Sequence, residues 1–152
     1  MKSLILGMMM ALISTISTLA LAADSGLVTV KSKFDFKETQ QRLEAAIVAK
    51  GLTVFAKVNH GENAAQADLK MQPAIVTLFG GAKGGTPFMV ASATAGIDFP
   101  MKALVWEDAG KQVFITYNNL DYLKARHNIS GLEELSGKLN SALAGIAKAA
   151  TE

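Results

Sequence analysis

The chain has no cysteine, three prolines, one tryptophan and two histidines among its 152 residues. Without cysteine there is no disulfide, thiolate metal site, c-type haem attachment or cysteine nucleophile, so an oxidising compartment is tolerated but not exploited. Packing alone must hold the fold. A strong charge of one sign is also missing, since 15 Lys and Arg stand against 13 Asp and Glu. Scattered, near-balanced charge gives no electrostatic footprint for nucleic acid or an anionic membrane. No apolar run reaches the ~20 unbroken residues of a transmembrane anchor. The histidines, His60 and His127, are therefore the main candidates for a metal ligand or a base.

What is present begins with a leader. Met1-Lys2 supplies a short positive end, Leu4 to Leu19 is mostly apolar, and Ala20-Leu21-Ala22 fits the small-x-small pattern read by signal peptidase. Residues 1–22 are thus expected to be a cleavable signal peptide, cut after Ala22 or Ala23. The mature chain is expected to be periplasmic or secreted, with no membrane association after cleavage and no nucleic-acid partner. Lys2 and four methionines leave with the leader, so the sequence pI near 8.9 overstates the basicity of the remainder. That remainder is long enough for one core and too short for two, which gives a single domain over residues 27–150.

Leu27 to Ser32 alternates apolar and polar side chains and reads as a strand. Asp35 with Glu38 caps a helix whose apolar positions are Phe36, Leu43, Ala46 and Ile47, stopped at Lys50-Gly51. Leu52 to Val58 returns to strand alternation, and Gly61 to Leu69 suits one or two helical turns. Ala74 to Phe79 is the most apolar run of the mature chain and reads as an inner strand. It ends in the glycine-rich stretch Gly80 to Gly85, taken as a tight turn, with Thr86 as N-cap and Pro87 as first residue of a short helix. Lys102 to Glu107 and Gln112 to Tyr117 flank Asp108-Ala-Gly-Lys111, a hairpin signal. Ser130-Gly-Leu-Glu133 has the form of a capping box, and Leu132, Leu135, Leu139, Leu143 and Ile146 mark one face of a long terminal helix. Helices bracketing a run of strands give an α+β class, an antiparallel sheet packed on one face by helices. Leu139, Leu143 and Ile146 are expected to pack on Val76, Leu78, Val105, Phe114 and Ile115, about half of which alternation turns away from the helix.

Three stretches, "VNHGENAAQADLKMQPAIVTLFG", "GGTPFMVASATAGIDFPMKALVWED" and "VFITYNNLDYLKARHNI", together resemble the DUF302 family of small bacterial and archaeal domains. The shared features come in order: a His after the second strand, a Phe-Gly strand end, Gly-Thr-Pro, Asp-x-Pro-x-Lys, Tyr-Asn and Arg-His. The resemblance implies a two-layer β-α-β4-α fold, a curved antiparallel sheet against a long C-terminal helix. Family members usually continue Phe-Gly as Phe-Gly-Asn-Pro, whereas this chain reads Phe79-Gly80-Gly81-Ala82, without that side-chain donor and stiff turn. The family name itself records an unknown function.

Polar and special residues gather in the connections: His60, Thr86, Asp98, Lys102, Tyr117, Asn118, Arg126 and His127. Rigid scaffolds commonly carry function there. They suggest a binding pocket between the sheet, the Gly-Thr-Pro helix and the Arg-His turn, for a small ligand that the sequence does not name. If His60 and His127 converge, they could ligate a haem or a metal, with Arg126 pairing a carboxylate. The amides of the glycine-rich stretch could hold a small anion, although it is not a P-loop, because Gly-Lys-Ser/Thr is absent. The alternative is a small hydrolase or redox enzyme with His127 as general base. No Gly-x-Ser-x-Gly elbow supplies a nucleophile for it. The sheet face turned away from the helices, with Leu104 and Trp106, suggests a homodimer.

Overall fold

Residues 25–152 are described in a computed structural model, so the signal peptide read at residues 1–22 lies outside the described residues. The elements follow in the order β1 (Leu27–Lys31), α1 (Phe36–Ala49), β2 (Thr53–Asn59), α2 (His60–Gln66), β3 (Ala74–Gly80), α3 (Ala82–Ala91), a 3-10 segment (Ala93–Ile97), β4 (Met101–Glu107), β5 (Val113–Asn118), α4 (Leu120–Arg126) and α5 (Glu133–Thr151). The strands form one antiparallel sheet ordered β1-β5-β4-β3-β2. This is the α+β architecture of the sequence reading, with the short helices inserted at strand ends.

Period-two alternation decides the inner face. Met101, Ala103 and Val105 of β4 and Val113, Ile115 and Tyr117 of β5 are buried, while the residues between them are half-buried. They meet Leu43 and Ile47 of α1 and Leu143 and Ile146 of α5 in one core. Each such aliphatic side chain contributes roughly 1.5–3 kcal/mol by leaving water. Of the five strand residues expected under the last helix, Val105 and Ile115 belong to this face. Val76 faces Leu104 in register and Leu78 faces Lys102, which puts both on the other side with Phe114. On that side Trp106 stacks on Phe114 with ring centroids 4.8 Å apart, and its indole N–H donates to Thr116 Oγ1 at 2.9 Å.

Two helix starts differ from the sequence reading. α3 begins at Ala82, so Lys83, Gly84 and Gly85 are helical, Thr86 is no cap, and Pro87 lies inside the helix. Gly85 serves close approach instead of a turn: a Cβ on it would stand 3.1 Å from the Phe99 ring. α5 starts at Glu133 behind Leu132, which has φ 62°, and no side chain caps it. Asn128, Gly131 and Leu132 all have positive φ, and these reverse the chain between α4 and α5 in place of the Ser130 capping box. The Asp35 cap is as expected, accepting from the Glu38 amide at 2.8 Å.

Candidate functional site

Where β3 ends and β4 begins, the 3-10 segment and the end of α4 come together on Asp98. His127 is the C-cap of α4, its amide bonded to Leu123 O at 3.1 Å. That anchoring aims the imidazole at Asp98, with Nε2 and Oδ2 2.6 Å apart, while Nδ1 lies 3.0 Å from Thr94 Oγ1. The carboxylate is acceptor-only, so Nε2 carries the proton, and in the neutral ring Nδ1 accepts from the Thr94 hydroxyl. Both side chains are largely enclosed, 6% exposed for His127 and 11% for Asp98. The second carboxylate oxygen of Asp98 pairs with the half-exposed Arg126 at 3.4 Å. Ser92 Oγ sits 3.0 Å from Thr94 Oγ1. A hydroxyl, an imidazole and a carboxylate thus stand in line.

Lys102 joins the same node from below. Asp98 lies outside the strand, at the end of the 3-10 segment, so the expected same-face pair of Asp98 and Lys102 side chains does not form. The ammonium instead donates to the backbone carbonyls of Asp98 at 2.8 Å and Pro100 at 3.3 Å. Burial lowers its pKa from the ordinary lysine value, partly countered by the Asp98 charge.

The chain just after Asp98, from Phe99 to Met101, also builds one wall of an apolar cleft of about 550 Å³. Phe55, Leu78, Thr86, Met89, Phe99 and Pro100 line it, and no lining residue carries a charge. Phe88 is fully buried, its ring 5.3 Å from that of Phe99, and so fixes the wall from behind. Clefts of this size and apolarity are ordinary small-molecule sites.

The eight residues singled out from sequence separate into groups. Asp98, Lys102, Arg126 and His127 come together, and Thr86 lines the adjoining cleft. Tyr117 stands on the inner face, where burial raises its pKa, and Asn118 ends β5 opposite Leu27. His60 opens α2 after Asn59, which pairs with Ile75 at the start of β3, whereas Met101, just after the Asp98 node, pairs with Phe79 at its end. Roughly 3.3 Å of rise per residue along the strand between them puts the two histidines at opposite ends of the sheet. His127 has already committed both ring nitrogens, so the pair does not fit a shared haem or metal. Among the described residues no group of three or more His, Asp or Glu is suited to hold a metal ion.

Sequence reasoning missed Thr94 and the cleft walls Phe55, Met89 and Phe99, and set Ser92 aside because no Gly-x-Ser-x-Gly elbow accompanies it. The hydroxyls carry no motif. The aromatic and methionine positions read as ordinary packing until the bulge between Val54 and Ala56 displaces Phe55 from the alternation.

Residues 28–146 match the profile described as a domain of unknown function, DUF302. A crystal structure of an uncharacterized conserved DUF302 protein from Bacillus stearothermophilus has a similar fold, with TM-score 0.75 and 19% identity over 83% of this chain and 98% of that one. Two curated relatives are longer proteins. "Fluoride-specific ion channel FluC 1" of Brucella suis biovar 1 is 40% identical over 106 residues, 70% of this chain and 42% of that protein. "Fluoride-specific ion channel FluC 2" of Brucella melitensis biotype 1 is 40% identical over 106 residues, 70% of this chain and 39% of that protein. The chain therefore spans about two fifths of the length of these relatives.

Proposed function

Starting from a chain that belongs to the DUF302 family, we propose that this protein is an exported small-molecule binding domain whose site is the cleft between the β2–β4 strand ends and α3. The observation that carries it is the cleft itself: about 550 Å³, lined by uncharged residues, with one wall continuous with the Asp98 node. Lys102, His127 and Arg126 all hold the chain at Asp98, so the wall is braced before any ligand arrives, which cuts the ordering cost of binding. The leader-like start supports an exported protein. The Brucella relatives named as ion channels support work at a membrane. The apolar outer sheet face, with Leu104, Trp106 and Phe114, supports a homodimer.

The test is a neutral fluorescent probe, N-phenylnaphthylamine, titrated into the mature chain. The wild type should bind it, Thr86→Trp should abolish binding by filling the cleft, and Val90→Trp, on the exposed outside of α3, should not. Equal binding by Thr86→Trp and wild type would overturn the reading.

A second reading rests on the Thr94–His127–Asp98 line. It is the arrangement of a general base held by a carboxylate, with the imidazole placed to take a proton from the threonine hydroxyl or from a water in its place. Hydrolysis of a short-chain nitrophenyl ester by wild type, lost in both His127→Gln and Thr94→Val, would favour it. Turnover unchanged in either variant would dismiss it.

A further inference from the structure

We infer that the cleft receives an amphiphile with an apolar body and a single carboxylate head, a fatty acid in chemical class, with Lys102 as partner of the head. This rests on the cleft being the binding site.

The body follows from the walls. Phe55, Met89, Phe99 and Met101 offer rings and thioethers, adaptable surfaces that suit a flexible chain, and no carboxylate or cation interrupts them. The head follows from Lys102. It is next in the chain to Met101 and directly opposite Leu78 across the β3–β4 ladder, and both of those residues line the cleft. Its ammonium lies 3.3 Å from the carbonyl of Pro100, a third lining residue.

The ammonium is half-buried, and both of its hydrogen-bond partners are neutral carbonyls. Among the described residues no carboxylate stands within ion-pair distance of it. Asp98, the nearest acid in the chain, has given one oxygen to His127 and the other to Arg126. A partly desolvated cation with neutral partners is held at a cost that an incoming anion removes. Two carbonyls use two of its three N–H donors, which leaves one for a carboxylate oxygen. The Asp98 charge offsets the ammonium only in part. A neutral ligand would leave the remainder and a cationic one would be repelled, so for one apolar body the order of affinity follows head charge.

The experiment displaces bound N-phenylnaphthylamine with laurate, lauryl alcohol and laurylamine, all below micelle formation, from the full mature chain at neutral pH. Laurate should displace the probe at a concentration about five- to tenfold lower than the alcohol, as expected for one partly shielded charge pair, and the amine should be weakest. Lys102→Met should erase the preference of acid over alcohol, and Lys102→Arg should keep it. The arginine variant decides the matter if the methionine variant does not fold. Equal displacement by acid and alcohol from wild type, or a preference that persists in Lys102→Met, overturns the inference and leaves the cleft standing as a site. If the probe does not bind wild type at all, the cleft reading fails and this inference fails with it.

Discussion

Two parts of one sheet are treated differently. Among the described residues nineteen apolar ones are buried, and thirteen of them lie between Met101 and Ala150, in β4, β5 and the helices that follow. Of nine large hydrophobic residues left exposed among the described ones, eight lie between Val48 and Ile97, from the end of α1 through β2, α2, α3 and the 3-10 segment, and the ninth is Leu27. The first part is closed on itself, with α5 and α1 sealing it. The second keeps Phe55 and Met89 in contact with water around a cleft. The difference separates what the chain needs in order to fold from what it has available to bind.

Large-to-small substitutions should break that comparison most visibly. Ile115→Ala, in the closed part, should lower unfolding free energy by about 2–5 kcal/mol. Phe55→Ala, in the open part, should change it by under ~0.5 kcal/mol while weakening probe binding. Urea unfolding of the two variants measures both, and equal losses would remove the distinction. Next comes Gly26, which precedes β1 with φ +69° and whose added Cβ would fall on the Tyr122 ring. Gly26→Ala should cost at least about 2 kcal/mol in the same experiment, because backbone and ring must both move.

Asp98 stands on the boundary between the parts. Asp98→Asn keeps the shape but removes the charge that His127 and Arg126 bond to, for an expected loss of about 1–2 kcal/mol. The sharper readout is the cleft. If the node braces the wall, probe affinity should fall more in Asp98→Asn than in Ile115→Ala, despite the smaller loss of stability.

The smallest effect belongs to Glu44 on α1, which meets Lys57 of β2 at 2.9 Å. Burial would raise its pKa, but hydrogen bonds from Gln40 and Lys57 and the Lys57 charge outweigh that and hold it below the ordinary 4.5. A depressed carboxylate contributes stability that is complete above its unfolded value and is lost as pH falls through the folded one. Lys57→Met should therefore flatten the stability curve just below pH 4.5, where the unfolded carboxylate takes up its proton before the folded one does, by under ~1 kcal/mol because the pair is partly exposed. Stability measured across the acid range checks it.

The closed part was also the legible part. Alternation in Lys102 to Glu107 and Gln112 to Tyr117, and the apolar face of Leu143 and Ile146, are periodic signals that survive folding because burial enforces them. The open part was read less well, for local reasons. Glycines after Phe79 suggested a turn, but Gly84 and Gly85 are helical, and the Phe99 ring packs closely on Gly85, where a side chain would crowd it. Asp98, Arg126 and His127 were singled out by residue type, and the fold unites them through the α4 cap. His60 was singled out by the same logic, and strand register carries it to the far end. Thr94 had no signal, since a hydroxyl gains its meaning only from the imidazole 33 positions away in sequence.

The bulge at Phe55 has a consequence for how these molecules behave in crowded solution. β2 ends the sheet, so one side of its backbone has no strand beside it, and the side chains around it are among the stickiest on the surface. An even edge of that kind templates its own polymerisation. The extra residue between Val54 and Ala56 breaks the repeat, and Lys57 sets a charge in the middle of what remains. A neighbouring copy offering its own β2 finds a ladder out of step. The irregularity that carries Phe55, a wall of the cleft, also acts against fibril growth.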